Sequence, residues 1–154
     1  MPIIWRLVKT RYSRNAFDGE GSRLYGGRWS SPGTVVAYGS ESAALATLEV
    51  LVHLQSVGTL RSFSLVTADV PDELVEVLDS KLLPGNWRRS PPPAESQAIG
   101  DAWVKGGRSA VLRMPSVVLD QSYNYLLNPT HPAFAAIKVG PPRAFDLDQR
   151  LFSQ

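Results

Sequence analysis

Glu49 is the only acidic residue between Ser42 and Leu60, in the run Ala-Ala-Leu-Ala-Thr-Leu-Glu-Val-Leu-Val-His-Leu that is apolar on nearly every side at helical spacing. Helices of that kind read as buried. A carboxylate inside one must be paired, hydrogen-bonded or protonated, because unpaired burial is costly. Its neighbours three and four residues away are Leu45, Ala46, Val52 and His53, with Ser42 two turns back. The small side chains N-terminal to the acid leave space beside it, which makes a pocket possible. A purely structural role is the alternative, as a Glu49–Arg28 or Glu49–His53 pair that holds the core.

A second stretch, Leu-Tyr-Gly-Gly-Arg-Trp-Ser-Ser-Pro-Gly-Thr-Val-Val-Ala-Tyr-Gly-Ser, occupies residues 24–40. Its glycines let backbone approach a ligand closely, and the planar guanidinium of Arg28 can make two parallel bonds to an anion. Tyr38 ends an apolar run, where a tyrosine is by default core with its hydroxyl bonded to backbone. Ser116 follows Pro115 at a strand end, placed to aim its hydroxyl into a cleft. Asn124, Asn128 and His131, set among prolines in residues 115–132, suggest a rigid irregular loop whose amide side chains bond backbone. The Gly-Glu-Gly-Ser-Arg-Leu run from Gly19 lacks the third small residue of a dinucleotide fingerprint, and no helix is expected after it. A Gly-x-Ser-x-Gly elbow is absent, which argues against a hydrolase-type serine nucleophile.

These residues need elements to position them. Residues 3–9 read as a strand from bulky and β-branched content, residues 19–27 as loop, and residues 34–38 as a second short strand. Ser40 is placed to cap a helix over residues 41–55, which Gly58 closes. Residues 61–70 alternate as a strand that Pro71 ends, and residues 71–79 read as a short helix or turn. The proline-rich residues 82–96 form a surface loop, a connector or a gate, leading into a helix over residues 94–106. Residues 108–115 and 135–140 are late strands. One α+β domain spanning residues 1–154 follows, with mixed, antiparallel-rich sheets and flanking helices.

Composition narrows the function classes. A chain of 154 residues, 44% hydrophobic and 19% charged, can bury a core without disulfides or metal. The net charge of +2 comes from 16 Lys and Arg against 14 Asp and Glu, and no basic stripe suited to nucleic acid stands out. Two histidines without ligand spacing and no cysteine make a metal site unexpected and remove thiol chemistry. No apolar run is long enough for a membrane span, and the N-terminus, interrupted by Arg6 and Lys9, lacks the pattern of a secretory leader. A cytoplasmic protein is expected.

Taken in order, Gly-Gly-Arg-Trp with Arg28, Val-Val-Ala-Tyr-Gly-Ser-Glu-Ser with Tyr38, Leu-Ala-Thr-Leu-Glu-Val-Leu-Val-His with Glu49, and Pro-Ser-Val-Val with Ser116 before Asn-Tyr-Leu-Leu-Asn-Pro-Thr-His-Pro resemble the RES domain. That family is named for its Arg, Glu and Ser. The likeness covers essentially the whole chain, with Ser30 standing where many relatives carry asparagine. The resemblance implies a fold similar to ADP-ribosyltransferases and a toxin of a type II toxin–antitoxin pair that consumes NAD. The bond cleaved would be nicotinamide–ribose, with inorganic phosphate or water as acceptor; ADP-ribosyl transfer to a protein is an alternative, and a non-catalytic nucleotide-binding module a third. It further implies an Xre-type helix-turn-helix antitoxin as partner and a toxin homodimer. No prosthetic group is implied, NAD being substrate. Arg28, Tyr38, Glu49 and Ser116 occupy the family's NAD-site positions, with Asn124 as a further contact.

The chemistry suits those residue types. Breaking an N-glycosidic bond generates an oxocarbenium-like ribose, which wants a negative group nearby and needs no strong acid, because nicotinamide leaves neutral. Arg28 suits the diphosphate, Tyr38 the nicotinamide or ribose, and Ser116 the sugar or the incoming phosphate.

Overall fold

The computed structural model describes residues 1–54 and 56–151. Side chains of β1 (Ile3–Lys9) alternate as a strand with apolar partners on both faces requires. Ile4 and Val8 enter a cluster with Phe17, Val66 and Leu127, whereas Leu7 meets Ala46, Leu60 and Phe63. Along one side β1 pairs antiparallel with β3 (Phe63–Asp69) through seven positions, Ile3↔Asp69 to Lys9↔Phe63. Along the other it meets β2 (Ala37–Ser40) at the single register position Trp5↔Ser40.

The sheet therefore opens beyond that point. In the opening a side chain takes over from backbone pairing: Arg6 Nη1 donates to the Tyr38 carbonyl at 2.7 Å. Past β2 the sheet continues through β6 (Tyr123–Leu127) and β5 (Val111–Pro115) to β4 (Val75–Val77), which is parallel to β5. Two short strands, β7 (Lys138–Val139) and β8 (Arg143–Ala144), finish the edge on β3, giving one eight-stranded mixed sheet among the described residues. A nine-residue helix, α2 (Ala43–Leu51), packs over β1 and β2. A longer helix, α3 (Ala94–Gly106), covers β5 and β6 through Trp103, which shares a cluster with Trp29, Trp87, Leu112, Met114 and Leu126. The expected α+β class holds, with the antiparallel-rich strands gathered into a single sheet.

Several boundaries differ from expectation. The first glycine-rich segment contains a short helix, α1 (Glu20–Tyr25), introduced by Gly19 at φ 77°. Its six residues were masked by flanking glycines. Residues 34–36 are not strand, and β2 runs instead to Ser40. Ser40 thus lies in the sheet, and Ser42 caps α2 by accepting from the Leu45 amide at 3.1 Å. That helix ends at Leu51, short of the predicted end at Gln55, which lies outside the described residues, and Gly58 falls within a 3-10 turn, Val57–Ser62. It is not buried all round either: Leu48 and Val52 are exposed, because only the face with Leu45 and Ala46 meets the sheet. Residues 115–132 hold β6 at their centre. Its tyrosines and leucines suit a strand, and the surrounding Asn, Pro and Thr hid them. Residues 71–79 resolve into a 3-10 turn, Asp72–Leu74, and β4, while residues 135–140 yield only the two-residue β7 after a 3-10 turn, Pro132–Ala136. Nor is the proline-rich segment simply a surface loop, since Trp87 is buried and stacks on Trp29 with ring centroids 5.8 Å apart.

Loss of the true cap should be measurable. Ser42→Ala is expected to cost about 1 kcal/mol and to lower the melting temperature by about 2–4 °C, whereas an equal effect from removing the Ser40 hydroxyl would not arise through helix capping. Differential scanning calorimetry of Ser42→Ala reads the cap directly.

Candidate functional site

The site forms where β1 and β2 part. Ser40 and Asn124 are registered partners on β2 and β6, so their side chains emerge on the same face. Ser40 Oγ donates to Asn124 Oδ1 at 2.7 Å, which fixes the amide with its nitrogen toward α2. Asn124 Nδ2 then donates to Glu49 Oε1 at 2.6 Å. Ser116, buried at the end of β5, donates to the same oxygen at 2.7 Å. Its own oxygen accepts from the amides of Val118 and Leu119 at 3.1 and 3.2 Å, so the hydroxyl proton has one direction available. Two donors, one on β6 and one just past the end of β5, therefore hold one carboxylate oxygen, and among the described residues no donor is placed on Oε2. Half-buried Glu49 lines a pocket of about 80 Å³ together with Trp5, Arg6, Tyr38, Ser40 and Asn124.

Neither pairing envisaged for a structural Glu49 forms among the described residues. His53 is exposed on the turn after α2. Arg28 turns toward the loop that follows β4, where its Nη1 donates to the carbonyls of Trp87 and Arg89 at 2.9 and 2.7 Å and its Nη2 to Ser90 Oγ at 3.2 Å. It stays within electrostatic reach of Glu49: burial pulls the guanidinium pKa down, and the charges of Glu49 and Tyr38 oppose that. Tyr38 lines the pocket, and its hydroxyl accepts from the Trp29 amide at 3.0 Å and pairs with Ser30 Oγ at 2.8 Å. Burial is the main cause of a phenol pKa pushed up to about 12, against the hydrogen bonds from Ser30 and Trp29. At neutral pH Tyr38 is therefore protonated and serves as a fixed wall rather than as an acid or base.

Arg6 is the residue that sequence reasoning missed. It lines the Glu49 pocket and also a larger cleft of about 670 Å³ between β1 and the segment around Gly19. Its Nε is buried with no hydrogen-bond partner among the described residues. Burial lowers its pKa, opposed by the charges of Asp18 and Tyr38, and a guanidinium that lines both hollows is suited to an anion. The available signal was a lone cation inside an apolar strand, Ile-Ile-Trp-Arg-Leu-Val.

Helix α3 fixes the loop that carries Arg28. Gln97 Nε2 donates to the Gly27 carbonyl at 3.0 Å. Asp101 Oδ1 accepts from the Ser31 amide at 3.0 Å and from Thr34 Oγ1 at 2.7 Å, while its Oδ2 accepts from Ser31 Oγ. Desolvation works to raise the Asp101 pKa, but the bonds from Ser31 and Thr34 prevail and hold it below the usual carboxylate range. A depressed folded-state pKa stabilises the fold fully above the unfolded value of about 3.9, and that contribution disappears as pH falls through the folded value. Thermal melts should therefore show wild type losing stability from about pH 5 downward, with a shallower acid limb and a lower melting temperature at pH 7 in Asp101→Asn.

Among the described residues no three His, Asp or Glu side chains gather as a metal site, and no helix is long and apolar enough to cross a membrane.

Comparison with known proteins shows the family and the fold. A toxin named Toxin Res from Yersinia enterocolitica is 36% identical over 150 residues, covering 97% of this chain and 99% of the relative. The Prs ADP-ribosylating toxin of Sphingobium is 36% identical over 152 residues, covering 96% and 94%. In fold the chain is similar to a structure described as the M. tuberculosis MbcT-MbcA toxin-antitoxin complex, with a TM-score of 0.75, 20% identity, and coverage of 99% of this chain and 90% of the other. The class is that of a single-domain α+β toxin built on one opened mixed sheet. More particularly, the chain belongs to the RES domain family, which residues 3–148 match.

Proposed function

We propose that this toxin belongs to a toxin–antitoxin pair and degrades NAD by cleaving its nicotinamide–ribose bond, with inorganic phosphate as acceptor and water as the alternative. The observation that carries the reading is the Glu49 carboxylate, held at Oε1 by Ser116 and Asn124, with no donor on Oε2 among the described residues, at a residue that lines the pocket. As the bond to nicotinamide stretches, positive charge grows on the ribose carbon and ring oxygen. A carboxylate already oriented stabilises it without reorganisation. The neutral leaving group departs with the bonding electrons, and a phosphate oxygen closes the ribose as ADP-ribose-1″-phosphate. Arg6, which lines both pocket and cleft, takes the diphosphate. Arg28, with both terminal nitrogens engaged by the Trp87–Ser90 loop, contributes positive potential and holds that wall.

Ser116 and Asn124 act through Glu49 in this scheme. Freed of its serine donor, the carboxylate drifts, and misplacement of about 1 Å is worth roughly 10²-fold in rate. Ser116→Ala should lower kcat for nicotinamide release by that order with little change in KM for NAD. The main test is incubation of purified protein with NAD and phosphate, with nicotinamide and ADP-ribose-1″-phosphate followed by chromatography. Their absence rejects the proposal.

ADP-ribosyl transfer to a protein is the second reading, favoured by the name of the Sphingobium relative. Labelled NAD separates the two, since transfer leaves label on a protein band and degradation leaves it in small molecules. The partner is an Xre-type helix-turn-helix antitoxin that covers the cleft, and the toxin is a homodimer in the cytoplasm. Co-expression with such a protein encoded next to the toxin should restore growth.

A further inference from the structure

The two donors on Glu49 Oε1 are supported differently. Ser116 Oγ is held by the backbone amides of Val118 and Leu119, so the main chain sets its direction. Asn124 has no such anchor: among the described residues its side chain makes two hydrogen bonds, Nδ2 to Glu49 Oε1 at 2.6 Å and Oδ1 from Ser40 Oγ at 2.7 Å. The last torsion of an asparagine side chain is broad and roughly two-fold, so an amide held at one end alone is free to swing. Ser40 supplies the second point of support.

The setting of Ser40 fits that task. It is 3% exposed, and a hydroxyl buried so deeply needs a partner. Its side-chain bond goes to Asn124 and not to backbone, so the hydroxyl adds nothing to the strand ladder. Ser40 is also the one residue of β2 registered on both neighbours, Trp5 of β1 and Asn124 of β6, which leaves its backbone little freedom. Facing Cβ atoms in such a pair lie about 4.5–5.5 Å apart, so the sheet itself sets the reach between the two side chains. Asparagine is disfavoured in strands, yet here one stands inside β6 within hydrogen-bond distance of the acid on α2. Turned the other way, the amide would set Oδ1 against Glu49 Oε1, two acceptors in contact.

We infer that Ser40 is a positioning residue for Glu49: it holds the Asn124 amide by its oxygen, which keeps the nitrogen on the carboxylate. The inference rests on the NAD reading for its effect on turnover but not for its first test, which observes the amide alone. The Asn124 side-chain amide, identified in a proton–nitrogen correlation spectrum by its absence from Asn124→Ala, should be rigid and slow to exchange in wild type. In Ser40→Ala it should become mobile and move toward the position of a solvated amide, while backbone signals away from the site stay in place.

In turnover, Ser40→Ala should lower kcat for nicotinamide release about tenfold, the net worth of one hydrogen bond, and leave KM for NAD within about twofold. In an Asn124→Ala background the same change should cost less than about twofold more, because its route to the carboxylate is already gone. An amide that stays rigid without the hydroxyl, losses that multiply in the double variant, or a mobile amide with unchanged kcat would each overturn the inference. Loosening of the amide in Ser40→Ala, in a protein whose wild type releases no nicotinamide, would leave the support standing and remove the NAD reading; NAD cleavage with an amide indifferent to Ser40 would do the reverse.

Discussion

Glu49→Gln should lower nicotinamide release from NAD by roughly 10³-fold, the size expected when one preorganised charge is withdrawn from a developing ionic centre. The amide keeps the shape of the carboxylate and can still accept from Ser116 and Asn124 at its oxygen, so packing survives. What disappears is the negative charge that the proposed mechanism sets opposite the ribose. Because Glu49 sits half-exposed on a nine-residue helix, the melting temperature should hold within a few degrees, and NAD binding should weaken far less than turnover. Stopped assays over hours, with the product quantified, are sensitive enough to separate a 10³-fold loss from complete inactivity. A variant that keeps a tenth of wild-type activity would place the acid outside the transition state.

The second large effect is on folding. Gly100 faces the Trp29 carbonyl so closely that an added Cβ would lie 1.7 Å from that oxygen and 2.8 Å from its carbon. Both obstacles are backbone, so no side-chain rotation relieves them. Gly100→Ala must push α3 off the Arg28 loop, loosening the Gln97 and Asp101 contacts and the Trp29–Trp87 stack together. Overpacking of this kind costs about 3 kcal/mol or more, which corresponds to a fall of about 6–12 °C in melting temperature. Gly106→Ala on the same helix is the control: its Cβ would meet open space, and the change should be neutral or slightly stabilising. Comparable melting of both variants with wild type would show that α3 does not clamp this loop.

Much of the site could be read before the fold was known because its parts have unusual chemistry for their surroundings. An acid in an apolar helix, an arginine between glycines and a serine after a strand-ending proline each stand out. What holds them together could not be read so well. Ser40 and Ser42 are equal candidates for a helix cap, and only the register of β2 against β6 sends Ser40 to Asn124 and leaves the cap to Ser42. Asn124 sat in what resembled an irregular loop, since turn-forming neighbours outweighed a five-residue strand. Arg6 was legible only as an interruption in an apolar start. Its importance comes from β1 and β2 separating after one paired position, a long-range property with no local signature. Arg28 stood out between glycines, but nothing in the sequence signals that its terminal nitrogens bond Trp87, Arg89 and Ser90, 59 to 62 residues away.

The most direct test of the account is a crystal structure of Glu49→Gln with NAD bound. The nicotinamide ribose should lie in the opening between β1 and β2, its C1″ carbon against residue 49 and the diphosphate at Arg6. A dinucleotide seated elsewhere on the molecule, with its ribose remote from residue 49, would contradict it.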